Sequence, residues 1–337
     1  MKTNHFIQLI QNGKLQEIKQ KRLELAQHLL QTSLDAKDIS LQISAFNEQV
    51  IEAICKYFSQ EYPWFTNCTF LEFGSGARGE QVLNSDQDNG LILPSDFHVD
   101  RHELEELCQK VVMTIDGTGI VLCPGKIMIS EENWRATPKE WQKKIIFWLE
   151  NPQERGSWQS GLILDFKPLF GQHQNAFELR SEVVQTVSKH PIILKILVSE
   201  ILNYKVPLSF WGNFILEKKD GFSGLNLKNS ILAHIINGAR LLALKYKFMQ
   251  TNTISRLNWL KQAKHIDPSM ANDLIELWNW GQRKRLENSL CPDHPSHLAN
   301  YLNPHLLPKE EKKLLKKRLH SLQKFLDIVN LAASYGL

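Results

Sequence analysis

The spacing of apolar side chains predicts a chain that is helical at both ends, with strands in its middle. From His5 to about Tyr62, apolar residues recur at every third or fourth position among lysine, glutamine and glutamate, the pattern of amphipathic helices. A second strong helix of this segment is predicted over residues 46–58, and Ser44 precedes it. Three further stretches share the helical period: 99–115, 138–149 and the whole chain from Asn175 onward.

Apolar runs without that period predict strands. The run Thr69–Phe73 ends abruptly at Gly74-Ser75-Gly76, as expected for a strand that enters a tight turn. A second run, Gly90–Leu93, follows Asp86-Gln87-Asp88, and a third is Gly161–Leu164. The middle of the chain is therefore predicted to contain short strands with polar residues at their ends.

The turn and the acidic pair between the first two predicted strands carry the strongest candidate chemistry of the chain. The backbone N–H groups of Gly74 and Ser75 can face an anion, so the turn is a candidate cradle for a triphosphate. If Asp86 and Asp88 begin a strand, its period of two places both carboxylates on one face, with Gln87 on the other. Paired carboxylates bind divalent cations such as Mg²⁺; an incidental Asp pair on a polar surface hairpin is the alternative.

The order of strand, Gly-Ser turn, short helix and Asp-x-Asp on the next strand resembles the DNA polymerase β-type nucleotidyltransferase superfamily. The segment GSGARGEQVLNSDQDNGLIL resembles, within it, the nucleotidyltransferases related to the PII-uridylyltransferase, a group often fused to CBS or cyclic-nucleotide-binding domains. The resemblance extends from about Phe46 to the end of the chain. It implies an α+β fold, in which a small mixed sheet with flanking helices lies between an N-terminal helical segment and a C-terminal helical bundle.

On this resemblance we expect three parts along the chain. Residues 1–62 would form the N-terminal helical segment, and residues 63–190 the nucleotidyltransferase domain. Residues 191–337 would form a helical domain that binds the substrate.

The resemblance also implies a third acidic residue. The sequence Asp165-Phe166-Lys167-Pro168, after an apolar run, is similar to the segment that supplies the third carboxylate in this family. By alternation along a strand, Asp165 would share a face with Ile163 and Lys167, and its charge needs a cation or hydrogen bonds. An Asp that ends the strand and bonds to the following turn is the alternative. Lys167 stands where relatives often carry arginine, so charge is kept while bidentate phosphate binding is lost.

Carried over residue by residue, the resemblance implies a metal-dependent nucleotidyltransferase. Asp86, Asp88 and Asp165 would be the catalytic residues and would hold Mg²⁺ or Mn²⁺. The residues expected to bind the nucleotide are Gly74, Ser75, Arg78, Glu80 and Lys167. A nucleoside monophosphate would pass from a nucleoside triphosphate to a hydroxyl acceptor, for example on a signalling protein of the PII type. A non-catalytic protein that senses nucleotide and signals through its helical domain is the alternative.

Composition restricts the binding partners and the cellular compartment expected for this protein. The net charge of +4 tolerates an anionic ligand but does not indicate a dedicated nucleic-acid binder. The five cysteines form no C-x-x-C pair, which argues against a disulfide framework or a zinc site and favours a reducing compartment. The N-terminus lacks the apolar core of a signal peptide, and no run of about 18 apolar residues occurs. We therefore expect a cytoplasmic protein that does not contact membranes.

Residues that follow the acidic pair have both a functional and a structural interpretation. Cys123 lies in a Cys-Pro-Gly turn without a base or a second thiol nearby in sequence, so we expect a structural role for it. Lys126, Trp134 and Arg135 can contact the nucleotide or the acceptor, or can simply pack or lie on the surface. Three acidic residues are candidates for a third metal ligand, but each is predicted on a turn or helix edge, so we expect them to be solvated: Asp96, Asp100 and Asp116.

The C-terminal part carries basic residues that also have both a functional and a structural interpretation. Arg240 and Arg256 either hold a phosphate or an acidic acceptor, or cap a helix or pair with a buried carboxylate. The cluster Arg283-Lys284-Arg285 lies close to Trp278 and Trp280, a combination that can bind RNA. More commonly, such a cluster simply forms a solvated face of a helix.

Overall fold

The computed structural model describes residues 3–151, 161, 163–292 and 294–334. The chain divides into two compact units. The first comprises Met1–Leu34, Asp38–Trp148 and Leu162–Val183, and the second comprises Asp35–Lys37, Leu149–Gly161 and Val184–Leu337. Helices combine with a small sheet in the first unit, while the second is mainly helical, so the α+β class expected from the sequence is confirmed.

Up to residue 190, helices alternate with four short strands. The helices are α1 (Thr3–Gln11), α2 (Leu15–Leu30), α3 (Ala36–Glu61), α4 (Gly74–Arg78), α5 (Arg101–Gly117), α6 (Pro138–Glu150) and α7 (His173–Lys189). The strands are β1 (Thr69–Phe73), β2 (Asn89–Ile92), β3 (Arg135–Ala136) and β4 (Phe166–Gly171). Short 3₁₀ helices, Pro63–Asn67 and Glu132–Trp134, precede β1 and β3.

Strand β1 lies at the centre of a four-stranded sheet of order β3-β2-β1-β4. It runs antiparallel to both neighbours, and the register pairs Glu72 with Asn89 of β2 and with Lys167 of β4. Strands β2 and β3 are parallel. Pro168 is tolerated in β4 because this is an edge strand, where a missing backbone N–H costs little. Since both neighbours are antiparallel to β1, both begin where β1 ends.

A cluster of aromatic rings fixes one face of this sheet. The ring centroid of Phe73 lies 5.5 Å from that of Trp134 and 5.9 Å from that of Trp141, distances at which aromatic pairs attract. The indole N–H of Trp141 donates to the Leu91 carbonyl at 3.0 Å, so its polar atom is satisfied in the core. Trp134, a candidate for contact with the nucleotide or acceptor, is buried in this cluster.

Helix α3 is longer than predicted. It begins at Ala36 rather than near residue 46, and Ser44 lies inside it. Ile39 and Ile43 are both buried and extend its apolar stripe toward the N-terminus. Serine favours the start of a helix, but here the Ser44 hydroxyl oxygen accepts a hydrogen bond from the Gln81 N–H at 3.1 Å. Ser44 therefore bonds to Gln81, which is distant in sequence, instead of capping the start of a helix.

The third predicted strand begins later than expected. Ile163 and Leu164 form a turn, Asp165 a bend, and β4 starts at Phe166; Leu162 lies outside the described residues. The predicted alternation of Ile163, Asp165 and Lys167 along one strand is therefore wrong. The apolar run signals burial, and a turn can also be buried because the Leu164 carbonyl accepts a hydrogen bond from Arg180.

The second unit is a helical bundle that includes a small sheet. Its helices are α8 (Pro191–Leu202), α9 (Ala233–Lys245), α10 (Thr253–Gln262), α11 (Pro268–Leu290) and α12 (Lys309–Ser334). A π-helical turn, Leu227–Leu232, leads into α9, and 3₁₀ turns occur at Ser296–Leu298 and Pro304–Leu306. The strands are β5 (Glu217–Lys219), β6 (Phe222–Asn226) and β7 (Tyr301–Leu302). Among the described helices, none combines the length and apolar character that a bilayer crossing requires.

This second sheet contradicts the prediction that the chain is wholly helical after Asn175. Strands β5 and β6 form a hairpin across Asp220 and Gly221, whose φ angles are 49° and 80°. Positive φ at both turn residues suits the right-handed twist of a two-residue hairpin. The Asp-Gly turn is visible in the sequence, but a strand of three residues such as β5 is too short to show an alternating pattern.

Gly171, at the end of β4, allows a test of the register between β1 and β4. Its φ is 83°, and a Cβ there would lie 1.8 Å from the Cys68 carbonyl oxygen. We expect Gly171→Ala to lower the free energy of unfolding by about 3 kcal/mol or more, because the clash adds to the roughly 1–2 kcal/mol cost of a left-handed alanine. Urea unfolding measures the loss.

Gly13→Ala is the matched control for this substitution. Gly13 also has a positive φ, 68°, but a Cβ there meets nothing within 4 Å. Only the conformational cost is expected at this position. Equal losses for the two variants would contradict the close approach of β4 to the segment before β1.

Candidate functional site

The end of β1 brings together two segments that carry predicted acidic residues. The Phe73 N–H donates to the Asp88 carbonyl at 2.9 Å, and the Gly74 N–H donates to the Asp165 carbonyl at 3.0 Å. Asp88 and Asp165 each directly precede a strand, β2 and β4, that flanks β1. With strands spaced about 4.8 Å apart, the two main chains are roughly 10 Å apart across the turn.

The turn itself depends on two glycines in the left-handed conformation. Gly74 has a φ of 58° and Gly79 a φ of 67°, and Gly79 ends the short helix α4 by donating to the Gly76 carbonyl at 2.9 Å. Because the Gly74 N–H is engaged by Asp165, Gly74 contributes its conformation rather than a donor. Ser75 is half-buried, and its N–H lies in the first turn of α4, where no intrahelical acceptor exists.

Three side chains converge beside this turn. One ligand atom from each of Asp86, Asp88 and Cys123 lies within 4.8 Å of the other two, with Asp86 half-buried and the others buried. Two carboxylates at this spacing fit a divalent cation, since hard oxygen ligands suit Mg²⁺ and Mn²⁺ and a bound ion offsets their repulsion. Asp165 is not part of this group.

Cys123 reaches the acidic pair because its loop pairs with the segment that carries the two aspartates. The Gln87 N–H donates to the Val121 carbonyl and the Asn89 N–H to the Ile127 carbonyl, both at 2.9 Å. The tight turn expected around Cys123 is present, closed by the Lys126 N–H, which donates to the Cys123 carbonyl at 2.9 Å. Sequence reasoning missed the proximity of Cys123 to Asp88, because nothing local to the turn indicates its partner.

Burial raises the pKa of the Cys123 thiol, and the neighbouring Asp88 and Asp86 carboxylates raise it further. Without a cation, the thiol therefore keeps its proton at neutral pH. A positive ion placed among the three groups reverses this preference, because it favours the charged form of every one of them.

Arg78 links two of the predicted site acids inside the protein. Its Nε lies 2.7 Å from Glu80 Oε2 and its Nη1 lies 3.1 Å from Asp165 Oδ2, and all three side chains are buried. Burial alone would lower the pKa of Arg78, but the charges of Glu80 and Asp165 outweigh it and raise the pKa. Arg78 and Glu80, both predicted to bind nucleotide, thus form a buried ion pair that also engages Asp165.

Lys167 belongs to a second charge network, in which Glu72 is buried and Lys167 and Glu48 are half-buried. Its Nζ lies 2.6 Å from Glu48 Oε1 and 3.5 Å from Glu72 Oε2. Glu72 supports α4 directly, since a Cβ at residue 76 would lie 2.0 Å from Glu72 Oε1. Lys167, predicted to bind nucleotide, is therefore already engaged by two glutamates next to the turn. Glu72 was not recognised from the sequence, because a single Glu within Leu-Glu-Phe does not reveal which face it occupies.

Arg22 of α2 holds the two segments that carry the Asp86–Asp88–Cys123 group. Its Nε donates to Asn47 Oδ1 at 2.8 Å, its Nη2 to the Leu83 carbonyl at 2.8 Å, and its Nη1 to the Gly119 carbonyl at 2.9 Å. Leu83 lies shortly before Asp86, and Gly119 shortly before Cys123. Although burial lowers the pKa of Arg22 to about 10, the guanidinium stays charged at neutral pH.

The remaining acidic candidates of the first unit lie apart from this group. Asp96 is exposed, and Asp100 caps α5 by accepting hydrogen bonds from two N–H groups of its first turn. Asp116 Oδ1 accepts from the Leu122 N–H at 3.2 Å. Of the basic candidates there, Lys126 is exposed and Arg135 is buried.

Basic residues of the second unit mostly have partners of their own. Arg256 is fully buried and its Nε donates to the Gln250 carbonyl at 2.9 Å, while Arg240 donates to Asn237 Oδ1. Within the basic cluster, Arg283 and Lys284 each lie 3.1 Å from a carboxylate oxygen of Glu287. Arg285 donates to Asn300 Oδ1 and Gln282 Oε1, and all three basic side chains are half-buried, so this helix face is only partly solvated.

Two family models match the chain. A model described as "Putative nucleotidyltransferase DUF294" matches residues 20–155, and one described as "Putative nucleotidyltransferase substrate binding domain" matches residues 191–333. The first match includes Arg22, the Gly74 turn, both aspartates of the pair and Cys123, and it ends before Asp165. A search among curated proteins found no match.

The Arg22 contacts predict a local effect on the site. We expect Arg22→Met to lower the free energy of unfolding by about 3 kcal/mol, because it removes three hydrogen bonds from a charged donor and leaves buried acceptors unpaired. Hydrogen exchange measured by mass spectrometry should increase over residues 83–89 and 119–129. Arg101→Met, which removes exposed ion pairs, is the control and should change neither quantity. Unchanged exchange in both segments would contradict the role assigned to Arg22.

The buried Glu72 predicts a pH dependence of stability. Burial, opposed by Lys167 and reinforced by Glu48, raises the pKa of Glu72 from 4.5 to about 7. An acid that holds its proton more tightly when folded contributes most to stability below the unfolded pKa, and this contribution is lost as the pH rises through the folded pKa. Between pH 4.5 and pH 7, Glu72→Gln should gain stability relative to the unsubstituted protein, by up to about 3 kcal/mol.

Urea unfolding of both proteins across this pH range measures the difference. Glu106→Gln, at an exposed position of α5, is the control and should show no such trend. A Glu72→Gln effect that does not change with pH would contradict the raised pKa.

Proposed function

The chain belongs to the family of nucleotidyltransferases that these two models describe, and on that premise we propose that it is a metal-dependent enzyme. It would move a nucleoside monophosphate from a nucleoside triphosphate to a hydroxyl acceptor. The observation that supports this most strongly is the convergence of the Asp86 and Asp88 carboxylates beside the Gly74-Ser75 turn. A protein that only senses nucleotide would be free to lose this carboxylate pair, whereas the proposed transfer requires it.

Asp86 and Asp88 are the residues that we propose hold Mg²⁺ or Mn²⁺, because their oxygens suit hard divalent ions. Such an ion would neutralise negative charge on the triphosphate and would polarise its α-phosphorus. Gly74 shapes the turn, and the N–H and hydroxyl of Ser75 donate to phosphate oxygens. The acceptor oxygen bonds to the α-phosphorus, while the bond from that phosphorus to pyrophosphate breaks.

Asp165 enters the proposal as the third acidic residue. Its main chain is bonded to Gly74 and its carboxylate to Arg78. We propose that the triphosphate attracts the Arg78 guanidinium, which leaves the Asp165 carboxylate to take the proton of the acceptor hydroxyl. Glu80 and Lys167 have supporting roles in the nucleotide site: Glu80 stays paired with Arg78 when Arg78 turns from Asp165, and Lys167 stays paired with Glu72.

We assign recognition of the acceptor to residues 191–333, in agreement with the description of the matching model. A signalling protein of the PII type is the first acceptor to test, on the strength of the resemblance in the Gly-Ser and Asp-x-Asp segment. Nucleic acid is a weaker candidate, since Arg283 and Lys284 are paired with Glu287. We also propose that the protein is cytoplasmic, a location consistent with a nucleoside triphosphate substrate.

The proposal predicts that Asp86→Asn or Asp88→Asn lowers the rate of nucleotide transfer by about a thousandfold or more. Loss of a metal ligand forfeits several kcal/mol of charge stabilisation, and each 1.36 kcal/mol is roughly tenfold in rate. Transfer is measured as pyrophosphate release and as label retained on protein, RNA or small molecules after incubation with α-labelled ATP, UTP, CTP or GTP, Mg²⁺ and cell extract.

Asp96→Asn, at an exposed position near the site in sequence, is the matched control and should retain full activity. Full activity in the Asp86 or Asp88 variant would refute the assignment of these residues. Metal-dependent nucleotide binding without any label transfer would favour a nucleotide sensor over an enzyme.

A further inference from the structure

The group at Asp86 and Asp88 contains a donor that a magnesium site does not need. The Cys123 sulfur lies within 4.8 Å of a carboxylate oxygen of each aspartate and is almost fully buried. Mg²⁺ is bound by oxygen ligands, whereas thiolates bind softer ions such as Zn²⁺, Co²⁺ and Cd²⁺. The combination of two carboxylates and one sulfur therefore differs in chemistry from a pure carboxylate site.

The position of the sulfur is fixed by the backbone rather than by a flexible loop tip. The carbonyls of Val121 and Ile127, on either side of Cys123, accept hydrogen bonds from the N–H groups of Gln87 and Asn89. In addition, the Ile129 N–H donates to Asn89 Oδ1 at 2.8 Å. The loop thus runs alongside the two aspartates, and these bonds hold the main chain around Cys123 next to them.

The distances between the three donor atoms are close to those between ligand atoms that share one ion. Bonds of about 2.3 Å to sulfur and 2.0–2.2 Å to oxygen place two ligands of one tetrahedral Zn²⁺ about 3.5 Å apart. Donor atoms that lie within 4.8 Å of one another reach this spacing through small side-chain rotations.

We propose that Cys123 is a third ligand of the metal centre at Asp86 and Asp88, which therefore binds a thiophilic divalent ion of the Zn²⁺ class more tightly than Mg²⁺. Binding forms a metal–sulfur bond, and the thiol proton passes to solvent. Such an ion competes with Mg²⁺ for the same two carboxylates, so it tunes or inhibits transfer. The inference rests on the proposed function only in taking Asp86 and Asp88 as metal ligands.

Cadmium titration of the full chain tests this ligand directly, through the ultraviolet sulfur-to-cadmium charge-transfer band. The titration uses a Cys291→Ser background, because Cys291 is exposed and can bind Cd²⁺ itself. We expect a band that saturates at one Cd²⁺ per chain. Cys123→Ser should abolish this band and weaken Cd²⁺ and Zn²⁺ binding by at least about tenfold, since even outer-shell partners of metal ligands contribute roughly 10–100-fold.

Cys55→Ala, which removes a buried thiol of α3, is the matched control and should leave the band unchanged. Cys123→Ala provides a second variant, and circular dichroism verifies that each variant is folded. A band that survives in folded Cys123→Ser or Cys123→Ala, or no band in the Cys291→Ser protein, would overturn the inference. Mg²⁺-dependent pyrophosphate release by the Cys291→Ser protein is measured in parallel, so that failure of the thiol ligand and failure of the transferase proposal are distinguished.

Discussion

The pairing of β1 with an antiparallel neighbour on each side is the constraint on which the candidate site depends. Because β2 and β4 both begin where β1 ends, the N–H groups of Phe73 and Gly74 bond to the carbonyls of Asp88 and Asp165. Main-chain hydrogen bonds thus bring together segments that are far apart in sequence, before any side chain contributes. The Gly74 turn then places Ser75 above the same edge of the sheet. A shift in the register of β1 would therefore alter the geometry of every proposed ligand.

Buried and half-buried charged side chains surround this edge, and many of them have partners. Arg78 pairs with Glu80 and Asp165, Lys167 pairs with Glu48 and Glu72, and Arg22 donates to two backbone carbonyls and Asn47. A buried charge without a partner is costly, so these networks restrict the turn and its loops to a few arrangements. The N-terminal helices contribute residues to these networks: α2 supplies Arg22, and α3 supplies Asn47 and Glu48. Such restriction suits a centre that must hold its ligands ready before substrate arrives.

Features set by local sequence could be predicted, and features set by long-range packing could not. Strand β1 and the Gly-Ser turn follow from residues close in sequence. Asp86 and Asp88 do lie close together, but they precede β2 instead of beginning it, so the alternation predicted for them is wrong. The contacts of Cys123 with Asp88, of Glu72 with α4 and of Arg22 with Leu83 depend on which loops pair, which no local pattern reveals. Ile163 and Leu164 are buried, but an apolar run does not distinguish a buried turn from a strand. The main chain of Asp165 lies beside Gly74, while the role of its carboxylate stays a prediction.

The central claim is that the edge of the sheet at Gly74 holds a metal ion and the phosphates of a nucleotide together. It is tested most directly by an anomalous difference map from crystals grown with Mn²⁺ and a non-hydrolysable nucleoside triphosphate. We predict a manganese peak in contact with carboxylate oxygens of Asp86 and Asp88, with the triphosphate next to Ser75. A nucleotide bound elsewhere, or a manganese peak that contacts neither aspartate, would contradict the account.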